Sequence, residues 1–501
     1  MVSGGSWNMI TVVLQVIIQL VYMMIMVRLL DVEAFAVMGV ILGVLGFAEI
    51  FAQVGVGPAL IQRKEVNQQH LNGAFYTAVI IGALFTCAFL ISADWLGKIY
   101  QMPDLGPVMR VVCFSFIISA LGAVPRSMMF KRMKFKSFFL ASMISIVGGN
   151  LIVGLALAWM GYGIWAYAWA LFAQNVLMTL AYWWFEPVTI TRRWEWKSVN
   201  ELMGYGAGSS LFNALNYLAT RIDVTILPMF FAYWRTYPSA VAQFQAGLYE
   251  RSAYVMGLPI TVMGKLSDSV LFSGLSRIQE DPGALKKAML RGTSLMAMII
   301  IPASIFVMFW SAEILTVFLG ERYAEASLTL QFLFLAVIFR TIARISDAMV
   351  RALNAVYRAS VIKIVYCALI AAGVIIFSAT DKEHVAAAIG LATFIHLVMN
   401  TALSMKLVAF SWKEFMLAQI PALFLSALIL AQCFVLHWLG NQISENPMLV
   451  FSFATLSIAA ITFCLVYFRP AILGGKESNP LAYLPERMKR MPVIRTMVNR
   501  I

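Results

Sequence analysis

The chain is expected to be an all-α polytopic membrane protein of about fourteen transmembrane helices, built as two parallel six-helix bundles plus two extra C-terminal helices. Three observations lead there. Apolar runs long enough to cross a bilayer recur along the chain. Hydrophobic residues make up 61% of the 501 and charged ones only 12%, against about 25% in soluble domains. Lys and Arg are spread very unevenly between the segments that join the runs.

The runs fall near 7–30, 34–61, 72–96, 106–129, 138–159, 163–185, 204–232, 240–267, 289–318, 326–350, 357–379, 384–408, 414–438 and 447–468. About 20 apolar residues carry a helix across the hydrocarbon. Lipid offers backbone groups no partners, so the runs must close their hydrogen bonds as helices. The ten-residue alternation of a membrane β-barrel is absent. The first run, Trp7 to Leu30, is too long for a signal peptide and lacks a small-x-small cleavage site, so it is expected to stay as a span.

Charge sets the orientation. Arg28, Lys98, Arg110, Arg235, Arg322 and Lys382 lie on one side, and Arg221, Arg251, Lys265, Arg340 and Arg344 lie inside runs. The rest of the 37 Lys and Arg are expected on the opposite face, most densely at Arg126, Lys131, Arg132, Lys134 and Lys136. Basic loops stay in the cytoplasm, which places both termini there. The same rule accounts for the net charge of +13 without a nucleic-acid partner. The cysteines sit in apolar runs without paired spacing, and the four histidines are scattered, so no metal site and no cofactor are expected. No nucleophile–base pair or glycine-rich phosphate loop points to an enzyme.

A weak internal repeat relates Leu60-Ile61-Gln62-Arg63 to Ser276-Arg277-Ile278-Gln279, about 217 residues apart. Basic loops near Arg132 and Arg351 keep a similar offset. An even number of spans per repeat leaves both halves in one orientation, as in parallel repeats. The expected organisation is a first six-helix bundle at 1–185, a cytoplasmic linker at 186–202, a second bundle at 203–410, helices 13 and 14 within 411–469, and a basic cytoplasmic tail at 470–501.

Several stretches together resemble a known family. They are Arg28-Leu29-Leu30, Gly46-Phe47-Ala48-Glu49-Ile50-Phe51, Gly55-Val56-Gly57-Pro58-Ala59-Leu60-Ile61-Gln62-Arg63-Lys64, and Gly161-Tyr162-Gly163-Ile164-Trp165-Ala166. Later come Gly247-Leu248-Tyr249-Glu250-Arg251-Ser252-Ala253 and Leu275-Ser276-Arg277-Ile278-Gln279-Glu280-Asp281. Their order over residues 20–410 is similar to that of the polysaccharide transporters, the O-antigen and exopolysaccharide flippases. The wider superfamily also holds multidrug extruders and peptidoglycan lipid flippases. The chain departs from the pattern at Val32 and Ala36, where Pro and Gly are usual, and in a longer polar insert near Ala232 to Gln245. The resemblance implies a bacterial inner (cytoplasmic) membrane protein with a polyprenyl-diphosphate-linked oligosaccharide as substrate and a polysaccharide polymerase as a possible partner. It implies lipopolysaccharide or exopolysaccharide assembly by alternating access.

Ionisable side chains at membrane depth are costly, so each is a candidate for function. Arg221, Arg251, Arg340 and Arg344 suit a diphosphate, because guanidinium matches phosphate oxygens in pairs. Arg340, Arg344 and Asp347 recur at helical spacing on one stripe. Glu49, Asp223, Glu250 and Asp347 are candidates for ion coupling, and Gln15, Gln19, Asn213 and Asn216 for sugar contacts. Against these stand structural readings: an ion pair between helices, such as Glu250 with Arg221, snorkelling for Arg344, and interhelical hydrogen bonds for the amides. The alternative functions are a multidrug or cation antiporter on the same fold, a membrane glycosyltransferase or polymerase, and a scaffold. The excess of arginine argues against the first, and the lack of a large outer loop against the second.

Overall fold

The computed structural model describes residues 2–52, 60–61, 66–191, 196–234, 238–266, 278, 281–353, 355–443 and 449–458. Side chains at 2–10, 12, 47–52, 196–213, 265–266, 356, 441 and 443 lie outside that description. Every regular element among the described residues is helical, so the protein is an all-α membrane protein.

Helices α1 (Val2–Leu29) and α2 (Val32–Ala52) come first. Helix α3 (Gln68–Tyr100) starts at a reciprocal cap, in which the Asn67 side chain accepts from the His70 N–H at 2.9 Å and the Asn67 N–H donates to His70 Nδ1 at 3.3 Å. Then come α4 (Leu105–Val112) and α5 (Ser115–Lys131). Helix α6 (Phe135–Ile146) widens into a π-helical stretch, Val147–Gly154, before resuming as α7 (Leu155–Trp159). Gly149 lies within it, and a Cβ there would stand 2.6 Å from the backbone of Gln174. The widened turn thus lies directly on α8 (Ile164–Phe185). Gly161 and Gly163 hold positive φ of 80° and 54° in the turn between them, where a side chain would be strained.

The long helices α9 (Trp196–Trp234) and α10 (Ser239–Leu266) follow. Helix α11 (Pro282–Phe309) has Asp281 as its N-cap, accepting from the Ala284 N–H at 3.0 Å, and proline at its first position. After it come α12 (Ser311–Leu319), a 3-10 turn (Glu321–Ala326), α13 (Ser327–Ala352), α14 (Val356–Phe377), α15 (Lys382–Val408), α16 (Trp412–Leu417) and α17 (Ile420–Ile443).

Nine of the described helical stretches are long and apolar enough to cross a membrane. The other five apolar runs coincide with α1, α2, α9, α10 and a helix at 449–458; α1, α2 and the last have shorter apolar stretches. Exposed Trp95, Trp159, Leu180, Ile376 and Phe424 are what a lipid-facing surface requires, since no water-soluble protein leaves so many large apolar groups bare.

Packing divides the chain into two compact units, Met1–Arg251 with Val356–Ala388, and Ser252–Ala355 with Ile389–Ile501. The division falls inside α10. In the first unit α9 packs against α2, α3 and α14, and α8 against α5, α6 and the π stretch. The α2–α9 crossing is close because Gly39 and Gly43 face Val224 and Thr225, and Gly46 faces Tyr217. The Tyr217 hydroxyl donates to the Leu42 carbonyl at 2.9 Å. In the second unit α11 packs against α13 and α17, and Trp310, Ile314, Leu425, Cys433, Phe451 and Ala454 form its core.

Candidate functional site

In the first unit, α2, α9 and α10 bring together a buried charged cluster. Tyr249 and Glu250 are consecutive on α10, and Asp223 lies on α9. The Tyr249 hydroxyl donates to Asp223 Oδ2 at 2.9 Å. Arg251 Nε donates to Glu250 Oε2 in a tight ion pair, with both side chains 2% exposed. The guanidinium also lies 4.3 Å from the centre of the Phe35 ring on α2, a cation–π contact in a dry place. Gly39 makes room for this, since a Cβ there would stand 2.5 Å from Glu250 Cγ. Asp223 Oδ1 has no hydrogen-bond partner among the described residues, so the cluster keeps one buried acceptor in reserve.

Arg221 sits two residues from Asp223 and is half-buried. It does not pair with Glu250, whose carboxylate is on Arg251. Its side chain makes no hydrogen bond or ion pair among the described residues. A further cation, Lys363 on α14, is 3% exposed and donates to Asn216 Oδ1 on α9 at 3.3 Å. The charge count by loops had put Lys363 on the cytoplasmic face, although it lies within the 357–379 run. That position, inside an apolar run, was the available signal. Tyr249 and Phe35 carried none, because nothing in their spacing links them to Asp223 or Arg251.

The second unit holds the other group. Arg340, Arg344 and Asp347 follow one another along α13, with Arg340 and Asp347 buried and Arg344 half-buried. Asn400 on α15 donates to Asp347 Oδ1 at 2.7 Å and reaches the Ala343 carbonyl at 3.4 Å. Arg344 lies so close to Gly264 on α10 that a Cβ there would collide with its guanidinium. The candidates read from the sequence therefore fall into two groups, Arg221, Asp223, Glu250 and Arg251 in one unit, and Arg340, Arg344 and Asp347 in the other. Gln15 and Gln19 are half-buried on α1. The side chains of Glu49, Asn213 and Lys265, and the tail at 470–501, lie outside the described residues. No group of three or more His, Cys, Asp or Glu fit to hold a metal occurs among the described residues.

Known proteins are similar in both sequence and fold. The lipopolysaccharide biosynthesis protein WzxC of Escherichia coli is 23% identical over 68% of this chain and 68% of its own length. The teichuronic acid biosynthesis protein TuaB of Bacillus subtilis is 22% identical, with 68% of each chain covered. Among solved structures, the lipid II flippase MurJ in an inward closed conformation superposes with a TM-score of 0.72, covering 94% of this chain and 100% of that one at 14% identity. An inward-facing multidrug resistance transporter of the MATE family gives a TM-score of 0.63 over 79% of this chain and 94% of its own, at 15% identity. These likenesses show a common fold. The family profile described as polysaccharide biosynthesis protein matches residues 25–328, and on that match, over more than half its length, the chain belongs to this family.

Proposed function

We propose that the chain is a flippase that carries a polyprenyl-diphosphate-linked oligosaccharide across the inner membrane for lipopolysaccharide or exopolysaccharide assembly. The family match over residues 25–328 is the observation that carries this reading, and relatives named for polysaccharide biosynthesis support it. A succinoglycan biosynthesis transport protein of Rhizobium meliloti is a further relative, 21% identical over 60% of this chain. In this reading about fourteen helices cross the membrane, both termini are cytoplasmic, and two parallel bundles alternate access to a central path. The protein moves its substrate without covalent chemistry and passes it to a polymerase.

Arg221, Arg251, Arg340 and Arg344 are then the candidates for the diphosphate, because guanidinium pairs phosphate oxygens in twos. Arg221 suits the first encounter, because no described side chain occupies it. Arg251 is held by Glu250, so a diphosphate must displace that carboxylate to reach its Nε edge. With the inside negative, each negative charge moved outward gains about 2.3 kcal/mol per 100 mV. Glu49, Asp223, Glu250 and Asp347 are the groups through which an ion would couple, and Gln15, Gln19, Asn213 and Asn216 those that meet sugar hydroxyls. The fold shared with a multidrug transporter supports a second reading, cation export. A half-buried Arg221, with no partner for its side chain among the described residues, disfavours it, since it repels cations.

Deletion of the gene, in cells without a second copy, tests the reading. Lipid-linked oligosaccharide is expected to stay on the inner leaflet and surface polysaccharide to stop. Normal polymer in the deletion strain would overturn the role. Arg221→Ala is expected to abolish export with normal protein levels, and Arg221→Lys to restore it in part, because Lys keeps the charge and loses the fork.

A further inference from the structure

The turn between α5 and α6 is built around a buried carboxylate with its cations on the surface. Glu186, which follows the last residue of α8, is fully buried. Arg132 Nη1 donates to its Oε1, and Lys134 Nζ stands 2.7 Å from its Oε2, yet those side chains are 56% and 42% exposed. Neither cation makes another bond among the described residues. A guanidinium has five N–H donors and an ammonium three, so most of their capacity is unused. One cation would balance the glutamate; two leave a net positive charge held in fixed geometry.

The segments on both sides of Glu186 are hydrogen-bonded in place. The next segment is laced to α3: Gln68 Nε2 donates to the Thr189 carbonyl at 2.6 Å, Asn72 Nδ2 to Thr191 Oγ1 at 2.6 Å, and the Thr191 N–H to Asn72 Oδ1 at 3.0 Å. On the other side Met133 takes φ of 54° and closes α5, with the Lys134 N–H donating to the Met129 carbonyl at 2.9 Å. Met133 stands between the cations with its side chain 55% exposed.

Aromatics stand beside this turn. Trp183 and Trp184 precede Glu186 on α8, and Trp184 is 83% exposed. Exposed tryptophan settles at the headgroup level of a bilayer. Two oriented cations, an exposed methionine and an exposed tryptophan two residues before Glu186 match one ligand chemistry.

We propose that Arg132, Met133 and Lys134 form a site for the phosphodiester headgroup of an anionic phospholipid of the surrounding membrane, with Glu186 as the positioning residue. The phosphate lies between the guanidinium and the ammonium, and Met133 rests against the glycerol and upper acyl carbons. The site is separate from the Arg221–Arg251 region and does not depend on the transport reading.

The test uses the full chain in phosphatidylcholine vesicles doped with photoactivatable phosphatidylglycerol or photoactivatable phosphatidylcholine, with mapping of the labelled peptides. Phosphatidylglycerol is expected to label residues 131–136 at least about fivefold more than phosphatidylcholine, the effect of roughly one basic residue at an anionic surface. The double variant Arg132→Gln/Lys134→Gln is expected to bring the two to equality. Glu186→Gln is expected to weaken the preference while leaving both cations present. Equal labelling of the wild type by the two lipids overturns the proposal, as does an unchanged preference in the double variant. Loss of the label on adding a prenyl diphosphate also overturns it, and would give the cations to a transported lipid instead. If the double variant does not fold, salt supplies the second reading. The preference is expected to fall with ionic strength, and one that survives 1 M salt overturns the proposal.

Discussion

Two buried carboxylates, one in each compact unit, are served in different ways. In the first, neutralisation is ionic and immediate: Glu250 holds Arg251, the next residue, and both are nearly inaccessible. In the second, Asp347 shares its helix with Arg340 and Arg344, and a neutral amide, Asn400, comes from α15 to donate to it at 2.7 Å. An ion pair in a dry place is vulnerable to loss of one partner, because the other is left as a bare charge. A carboxylate served by a neutral donor loses only a hydrogen bond when that donor goes. The Glu250–Arg251 pair should therefore be brittle to the loss of one member, and the Asn400–Asp347 bond more tolerant.

The largest effect is expected from Arg251→Ala, which strands Glu250 and should destabilise by about 3–5 kcal/mol. Thermal unfolding of the purified protein in detergent measures this. The double variant Glu250→Ala/Arg251→Ala should recover most of that loss. If it regains export as well, Arg251 is a staple and not a diphosphate ligand; if stability returns without export, the ligand role is strengthened. Gly39→Ala comes next. Its added methyl would stand 2.5 Å from Glu250 Cγ and push the carboxylate off Arg251, at about 1–3 kcal/mol for overpacking. A melting temperature equal to the wild type would show that the cluster is looser than its geometry.

The matching change in the second unit is Asn400→Ala, expected to destabilise by only about 0.6–1.7 kcal/mol, as for other interhelical bonds in membranes. A loss as large as that of Arg251→Ala would erase the contrast between the two contacts. The smallest effect is expected outside the apolar segments. Asp381 accepts from the His384 N–H at 2.9 Å at the start of α15. Partial burial pushes its carboxyl up, but the backbone N–H and ring of His384 more than offset that and hold it below the usual range. Its stabilisation is thus present above the ordinary aspartate pKa and lost as pH falls through the lowered one. Asp381→Ala should cost about 1 kcal/mol as a lost cap near neutral pH, and the gap from the wild type should close in strong acid. A gap that widens on acidification would refute this sign.

Much of the architecture was legible in the sequence because hydropathy is a local property. A run such as 138–159 must become helical in lipid whatever its neighbours, and the structure has helix over Phe135–Trp159. The same reasoning singled out Arg221, Asp223, Glu250, Arg251, Arg340, Arg344 and Asp347, since a charge in an apolar run stands out in one dimension. It could not foresee the π-helical turn at Val147–Gly154, whose glycine meets the backbone of Gln174. That widening answers a contact with a helix that begins ten residues later, at Ile164.

Composition and run length, then, are enough for the fold class, the membrane as solvent and the list of buried charges. Partner choice lay beyond them. Among the pairings open to Glu250, such as Arg221 on the neighbouring helix, it takes Arg251 beside it. Asp223 accepts at one oxygen from a tyrosine hydroxyl 26 residues away, and Lys363 donates to Asn216 across 147 residues. Such pairings depend on how far each helix is rotated about its axis and how closely glycines such as Gly39 and Gly43 let its neighbours approach. Those quantities are fixed only when the helices pack, because a small turn of a helix moves a side chain from one neighbour to the next without altering a residue of the sequence.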